Sequence, residues 1–219
     1  MQEVLNFLSE LKENNNKEWF DQNRDWYQEC RKKVLFLTEL LIQEIGKFDD
    51  EIGTPDAKNC VFRIFRDVRF SNDKTPYKTN MGSYIAQGGR KSVRAGYYFH
   101  IEPGGSFVGG GAYSPQADAL KAYRTEIYDH PQEFKQLIST KSFLKIYPEM
   151  YDDKLKTAPK GFPKDFPDID LLKYKSFAFV SPIGDSVVKS EGYVEKIITA
   201  MKELYPVNRY LNSALDKWL

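Results

Sequence analysis

The stretch from Asn59 to Asn80, N-C-V-F-R-I-F-R-D-V-R-F-S-N-D-K-T-P-Y-K-T-N, opens as a hydrophobic strand pattern and closes as a polar turn. Successive residues of an extended chain point to opposite faces. Cys60, Phe62, Ile64, Arg66 and Val68 therefore share one side, and Val61, Arg63, Phe65, Asp67 and Arg69 the other. Each side mixes apolar with charged groups, so neither suits plain solvent or plain core. A guanidinium set among Phe and Val needs a partner, and a carboxylate supplies one. Two uses fit that pattern. Arg63, Asp67 and Arg69 form an internal network that holds a sheet together, or Asp67 aims one arginine while the second stays free for a ligand carboxylate or phosphate.

The turn that follows, Ser71 to Lys78, is dense in turn formers. Asp and Asn side chains accept bonds from nearby backbone N–H groups, and Pro76 disfavours helix at Thr75. Lys74 and Lys78 are thus expected to project from a rigid turn. Between Lys58 and Arg94 nine Lys and Arg face only Asp67 and Asp73, a local balance of +7 in a chain whose formal charge is +1. Positive charge gathered in one region attracts anions. Lys58, Arg90 and Lys91 flank turns and are expected to reach water.

The run R-I-F-R-D-V-R-F-S-N-D-K-T-P-Y-K, followed by Gly-x-Tyr-containing strands, a P-G-G turn and G-G-G-A-Y-S-P, resembles the domain of unknown function 2461 family. That family comprises conserved hypothetical proteins, mainly bacterial, with fungal relatives. The resemblance covers nearly the whole chain and implies no particular reaction. Asn72 stands where the family pattern leads one to expect a lysine, which lowers the local charge slightly and leaves the Arg-Asp pattern intact.

Taken in order, residues 3–13 read as an amphipathic helix with Val4, Phe7, Leu8 and Leu11 on one face, broken by Asn14-Asn15-Asn16. Lys17 to Phe48 reads as one long helix with an apolar stripe at spacings of three and four. Asp49 to Ala57 is a polar connector. After the central strand come Ser83 to Gln87, a Gly88-Gly89-Arg90 turn, and a hairpin from Val93–Glu102 and Ser106–Ala112 around Pro103-Gly104-Gly105. Tyr97, Phe99 and Ile101 alternate against Tyr98, His100 and Glu102. Gly109-Gly110-Gly111 reads as a bulge or as a site of close approach. Ser114 is expected to cap a helix with Pro115 at its first position, and such an N-terminus beside a Gly-rich strand suits an anion. No G-x-G-x-x-G or G-K-[ST] pattern is present.

That helix runs to Tyr128, with Arg124 beside its apolar line. A second starts at His130-Pro131, and a further turn or two follow within Thr140 to Tyr147. Lys154 to Asp168 reads as a long ordered loop or lid anchored by Phe162 and Phe166. Ile169 to Lys175 reads as helix, Ser176 to Ser181 as a strand, Ser190 as the cap of a helix ending near Leu204, and Pro206 as the start of a last one.

Cys30 and Cys60 read as buried free thiols, and neither histidine has a ligand-spaced partner, so no metal site is expected. His100 shares a strand face with Glu102, which fits a sheet residue or an oriented general base. No Ser-His-Asp pattern or pair of catalytic carboxylates supports hydrolysis. The chain lacks an apolar run of membrane-spanning length and a secretory signal, so the cytoplasm is expected and a membrane partner is not.

The expected fold is α+β: one domain over residues 1–219, its mainly antiparallel sheet built from about 59–112 plus 176–181 and covered by helices from both ends of the chain. The expected function is anion binding, to a phosphate- or carboxylate-bearing small molecule, with cofactor and reaction unassigned. The candidate ligand-binding set is Arg63, Arg66, Asp67, Arg69, Asp73, Lys74, Tyr77, Lys78, His100 and Arg124. Two alternatives use the same region: a nucleic-acid-binding or processing module that stacks bases on Tyr77, Tyr84 and Tyr98, and a structural or partner-binding domain whose Arg-Asp network stabilises the sheet.

Overall fold

A computed structural model describes residues 1–219. Helices α1 (Gln2–Glu13), α2 (Lys17–Gln22) and α3 (Arg24–Ile45) come first. Val4, Phe7, Leu8 and Leu11 recur at helical spacing and lose all contact with solvent, which gives α1 its inner face. The single long helix expected over 17–48 is two helices that meet at Asn23. There the Asn23 side-chain amide donates to the Trp19 carbonyl (2.9 Å) and takes over the end of α2. Asn16 caps α2 by accepting from Trp19 N–H at 3.0 Å. A single 3₁₀ turn, Asp50–Ile52, and the short helix α4 (Ala57–Cys60) follow.

The segment expected as the central strand is not part of the sheet. Residues 61–80 form a loose hairpin arm that leaves the edge of β1 (Met81–Ile85). Only single bridges, Val61 with Ser83 and Phe65 with Tyr77, have strand character. Side chains compete with the ladder here. Asp67 Oδ1 accepts from Arg69 N–H (3.3 Å) and Asp73 Oδ1 from Thr75 N–H (2.9 Å), two turns that curl the backbone away from pairing. The arm is fastened at its base. Ile64 and Tyr77 enter the core, and Asn15 pairs with the Tyr77 backbone through both its amide groups (2.9 and 3.1 Å). Cys60 accordingly ends a helix and does not lie on a strand.

The sheet itself comprises β1, β2 (Gly96–Ile101), β3 (Phe107–Ala112) and β4 (Phe177–Pro182), in that order and antiparallel throughout. Between β3 and β4 the chain forms α5 (Ala117–Asp129), α6 (Pro131–Ile138), α7 (Lys141–Ile146) and α8 (Ile169–Leu172). Helices α9 (Asp185–Val188) and α10 (Tyr193–Trp218) close it. The alternation puts Ile85, Tyr97, Phe99, Ile101, Val108, Phe177 and Phe179 on one face, all buried beneath helices from both ends of the chain. The fold is therefore α+β with a mainly antiparallel sheet, built from 81–112 and 177–182.

Register runs unbroken through Gly109, Gly110 and Gly111, so no bulge forms. Gly110 faces the helices, where an added Cβ would meet Leu204 Cδ1 at 3.1 Å and the Gly96 carbonyl; its bareness lets α10 lie on β3. Ser114 does not cap α5. It takes a left-handed conformation (φ 46°), its N–H donates to Ser176 Oγ (2.9 Å), and the helix starts three residues later after Gln116.

Pro206 lies inside α10 instead of starting a helix. A proline in a helix interior costs about 3 kcal/mol. Burial on both sides of it, by Met201, Leu204, Val207 and Leu211, offsets that cost. Asn212 adds a two-point bond to the Ala95 backbone (2.8 and 3.2 Å), and Asn208 donates to the Gly96 carbonyl (3.1 Å). The 154–168 loop is anchored as expected, with Phe162 and Phe166 packed on Tyr128. No helix is long and apolar enough to cross a membrane.

Candidate functional site

The second face of the sheet carries no helix layer. Its alternate positions are Gly82 and Tyr84 on β1, Tyr98 and His100 on β2, Phe107, Gly109 and Gly111 on β3, and Ala178 and Val180 on β4. Small residues along β3 and β4 sink a trough between the aromatic rings of β2 and Val180, which is 39% exposed. The base of the arm, the loop 90–94, the turn 113–116 and Tyr151 raise its walls and enclose a cleft of about 720 Å³. Small-molecule sites commonly measure about 300–1,000 Å³.

The cleft lining is cationic. Lys78, Arg90, Lys91 and Arg94 line it, and no Asp or Glu does. These cations differ in how free they are. Arg94 is held by Asp216 through two bonds (2.7 and 3.0 Å), with Glu51 at 3.8 Å. Arg90 Nη1 donates to the Lys58 and Asn59 carbonyls (3.0 and 2.8 Å), which fixes its position without neutralising it. Lys91 is exposed. The Lys78 ammonium sits 5.4 Å from the Phe62 ring centre and has no acidic partner within salt-bridge range. Burial, and then the like charge of Arg63, hold its pKa below the ordinary lysine value.

Beside Lys78, β2 carries a hydrogen-bonded row. Tyr98 Oη lies 2.9 Å from His100 Nδ1, His100 Nε2 lies 3.0 Å from Glu102 Oε2, and Thr79 Oγ1 donates to Glu102 Oε1 (3.1 Å). Phe107 stacks on one face of the imidazole (4.6 Å, 14°). Phe62 packs edge-on against Tyr98 (6.0 Å), so the ring under Lys78 also borders the row. Burial, with Glu102 adding to it, pushes the Tyr98 phenol up to about 12.

Of the ten residues singled out from sequence, Lys78 and His100 line the cleft and the other eight do not. Arg66 pairs with Asp73 and Thr75, an internal clamp across the arm. The Thr75 N–H, then the Arg66 guanidinium and the Thr75 hydroxyl, hold the Asp73 carboxyl down to about 2. Asp67 binds Arg69 through two bonds (2.9 and 2.6 Å) on an exposed surface. Lys74 donates to the Val68 carbonyl at 3.0 Å. Arg63 is exposed and touches no acid, so the expected Arg63–Asp67–Arg69 grouping does not form as a network. Tyr77 is buried and stacks on Phe20 at 4.0 Å, which removes it from any ligand-stacking role. Arg124 donates to the Tyr174 carbonyl (2.9 Å), away from the cleft.

From the sequence alone Arg90 and Lys91 read as solvated turn residues, and Arg94 adds only to the local charge. Tyr98 enters as a base-stacking ring and as a neighbour of His100 and Glu102 on one face of β2, not as a ligand-binding residue. Their common signal was available in the polar side of the β2 alternation, opposite a glycine-rich return strand. The two cysteines are buried, and burial foremost pushes Cys30 and Cys60 up to about 12 and 11, so neither thiol is a ready nucleophile.

A family model described as conserved hypothetical protein (DUF2461) matches residues 3–210. No curated protein and no solved structure matches the chain.

Proposed function

The chain belongs to the DUF2461 family of conserved hypothetical proteins, a description that names no activity, and we propose from its own cleft that it binds a phosphate- or carboxylate-bearing small molecule. One observation carries the reading: four cationic residues and no acidic one line the open face of the sheet, and one of them, the half-buried Lys78, has no internal counter-charge. A desolvated ammonium without a partner favours an incoming anion more than a solvated one does. Phe62, Tyr98, Phe107 and Tyr113 give the cleft an apolar wall, so the preferred ligand pairs its anionic group with a flat or apolar body. The anchors are Lys78, Arg90 and Lys91; the arm arginines lie outside. We also infer a cytoplasmic setting from the two free thiols, which suit a reducing compartment.

Lys78→Met is expected to weaken phosphate binding, measured by isothermal titration, by roughly tenfold to a hundredfold, the usual worth of a charge-assisted hydrogen bond. Unchanged affinity would remove the anchor from the account. The pH dependence has a definite sign. Lys78 loses its charge below the ordinary lysine range, so anion affinity falls at a lower pH than an exposed lysine would give. Arg63→Ala removes a like charge and is expected to move that fall to higher pH. Stability runs the other way. The depressed pKa makes the charged lysine a small liability in the folded state, relieved as pH rises through that value towards 10.5.

A further inference from the structure

We propose that Tyr98, His100 and Glu102 form a proton relay that lets the cleft act as a general acid–base catalyst, with Tyr98 Oη exchanging a proton with a hydroxyl of the bound anion. The inference rests on the anion-binding reading above and adds a reaction to it. The substrate class is a phosphate- or carboxylate-bearing molecule that also carries a hydroxyl.

The direction of each bond follows from what its atoms can do. A carboxylate only accepts, so His100 Nε2 carries the hydrogen shared with Glu102 Oε2. The other nitrogen of a neutral imidazole is then an acceptor, and the Tyr98 hydroxyl donates to it. Glu102 is itself fixed, by the Thr79 hydroxyl at Oε1 and by the Ser106 side chain, which bonds both its N–H and its carbonyl (3.0 and 2.9 Å). This is the nucleophile–base–orienter order of a catalytic triad, with a phenol in the first place.

His100 itself is poorly placed to meet a substrate. Both ring nitrogens are engaged, one ring face lies on Phe107, and the side chain is only 12% exposed. Tyr98 lines the cleft and makes no bond beyond its donation to His100, so its oxygen keeps an unused lone pair. Gly82 is the residue opposite His100, and an added Cβ there would meet Tyr98 Oη at 2.8 Å, so the phenol position depends on a bare neighbour. Lys78 and Tyr98 both pack on Phe62, the ammonium 5.4 Å from its ring centre and the phenol ring edge-on at 6.0 Å, and both line the same cleft.

The step balances without a further reagent. The substrate hydroxyl gives its proton to Tyr98 Oη while the phenol proton moves to His100 Nδ1. The substrate oxygen keeps the bonding pair and becomes an alkoxide near the Lys78 charge. Tyr98 ends neutral, and the imidazolium lies against the Glu102 carboxylate. Because the two transfers are coupled, no free phenolate forms, which the raised phenol pKa would otherwise disfavour. The reverse transfers restore the resting chain. Tyr98 and His100 are the catalytic residues, the one exchanging a proton with the substrate and the other serving as its base; Glu102 is a positioning residue.

The test is ¹⁵N NMR of the imidazole and lysine side-chain nitrogens, with glycerol 3-phosphate as the probe. In the ligand-free protein His100 is expected to show a protonated Nε2 and an unprotonated Nδ1. Saturating probe should shift Lys78 Nζ and move the His100 Nδ1 resonance upfield, because a hydrogen bond from the probe hydroxyl to Tyr98 Oη strengthens the bond that Tyr98 donates to Nδ1. In Tyr98→Phe, checked for folding by circular dichroism, Lys78 should still respond and the His100 movement should be lost. A response at Lys78 with His100 unmoved in the unmodified protein overturns the relay and leaves anion binding intact. So does an equal His100 movement in Tyr98→Phe. No response at Lys78 overturns anion binding, and the relay with it.

Discussion

Gly111→Ala is expected to lower the melting temperature by roughly 6–12 °C, the equivalent of about 3 kcal/mol in a chain of this size. Gly111 sits at φ 93°, where an L side chain is strained, and its added Cβ would run into the Phe177 carbonyl and come within 3.0 Å of Ala178 Cα. Both contacts are backbone of β4, which cannot move without opening the sheet. Gly104→Ala is the comparison. It shares a positive φ, 72°, but nothing lies within 4 Å, so only the conformational cost of about 1 kcal/mol is expected. Equal melting temperatures for the two variants would show that β3 and β4 do not approach as closely as described.

Asp49→Ala is expected to cost about 1.5–3 kcal/mol, or roughly 3–12 °C. The Asp49 carboxylate is 3% exposed and accepts the Tyr97 hydroxyl at 2.6 Å beneath the sheet. This bond ties the end of α3 to β2. Removing the carboxylate strands a phenol that is wholly buried, and an unpaired buried donor costs more than the bond contributes. Adding Tyr97→Phe to Asp49→Ala should therefore restore part of the loss. A double variant less stable than Asp49→Ala alone would contradict this, and a thermal denaturation series on the three proteins decides it.

The elements that the sequence announced are those whose cause is local. Alternation fixed which side of β2 is buried, because Tyr97, Phe99 and Ile101 have one neighbouring pattern and one solution. The stripe of α1 was equally direct. Three features depended on distant partners. The strand-like run 61–69 failed to join the sheet because Asp67 and Asp73 bond their own backbone, and because Asn15, 62 residues away, holds Tyr77. Pro206 stayed helical because α10 buries both of its flanks against β3 and α5. The arginines that drew attention by density are paired within the arm or solvated, whereas the cleft collects Lys78, Arg90, Lys91 and Arg94 from segments separate in the chain. Charge density along a sequence does not say which charges remain unneutralised. That depends on which carboxylates fold back onto them.

The most direct measurement is anomalous diffraction from a crystal soaked in tungstate, a heavy tetrahedral anion of phosphate shape. The account predicts a peak in the cleft beside Lys78, between the base of the arm and the glycine run of β3, and its loss in Lys78→Met. Ordered tungstate only on the arm, at Arg63, Arg66 or Arg69, with none in the cleft, would contradict it.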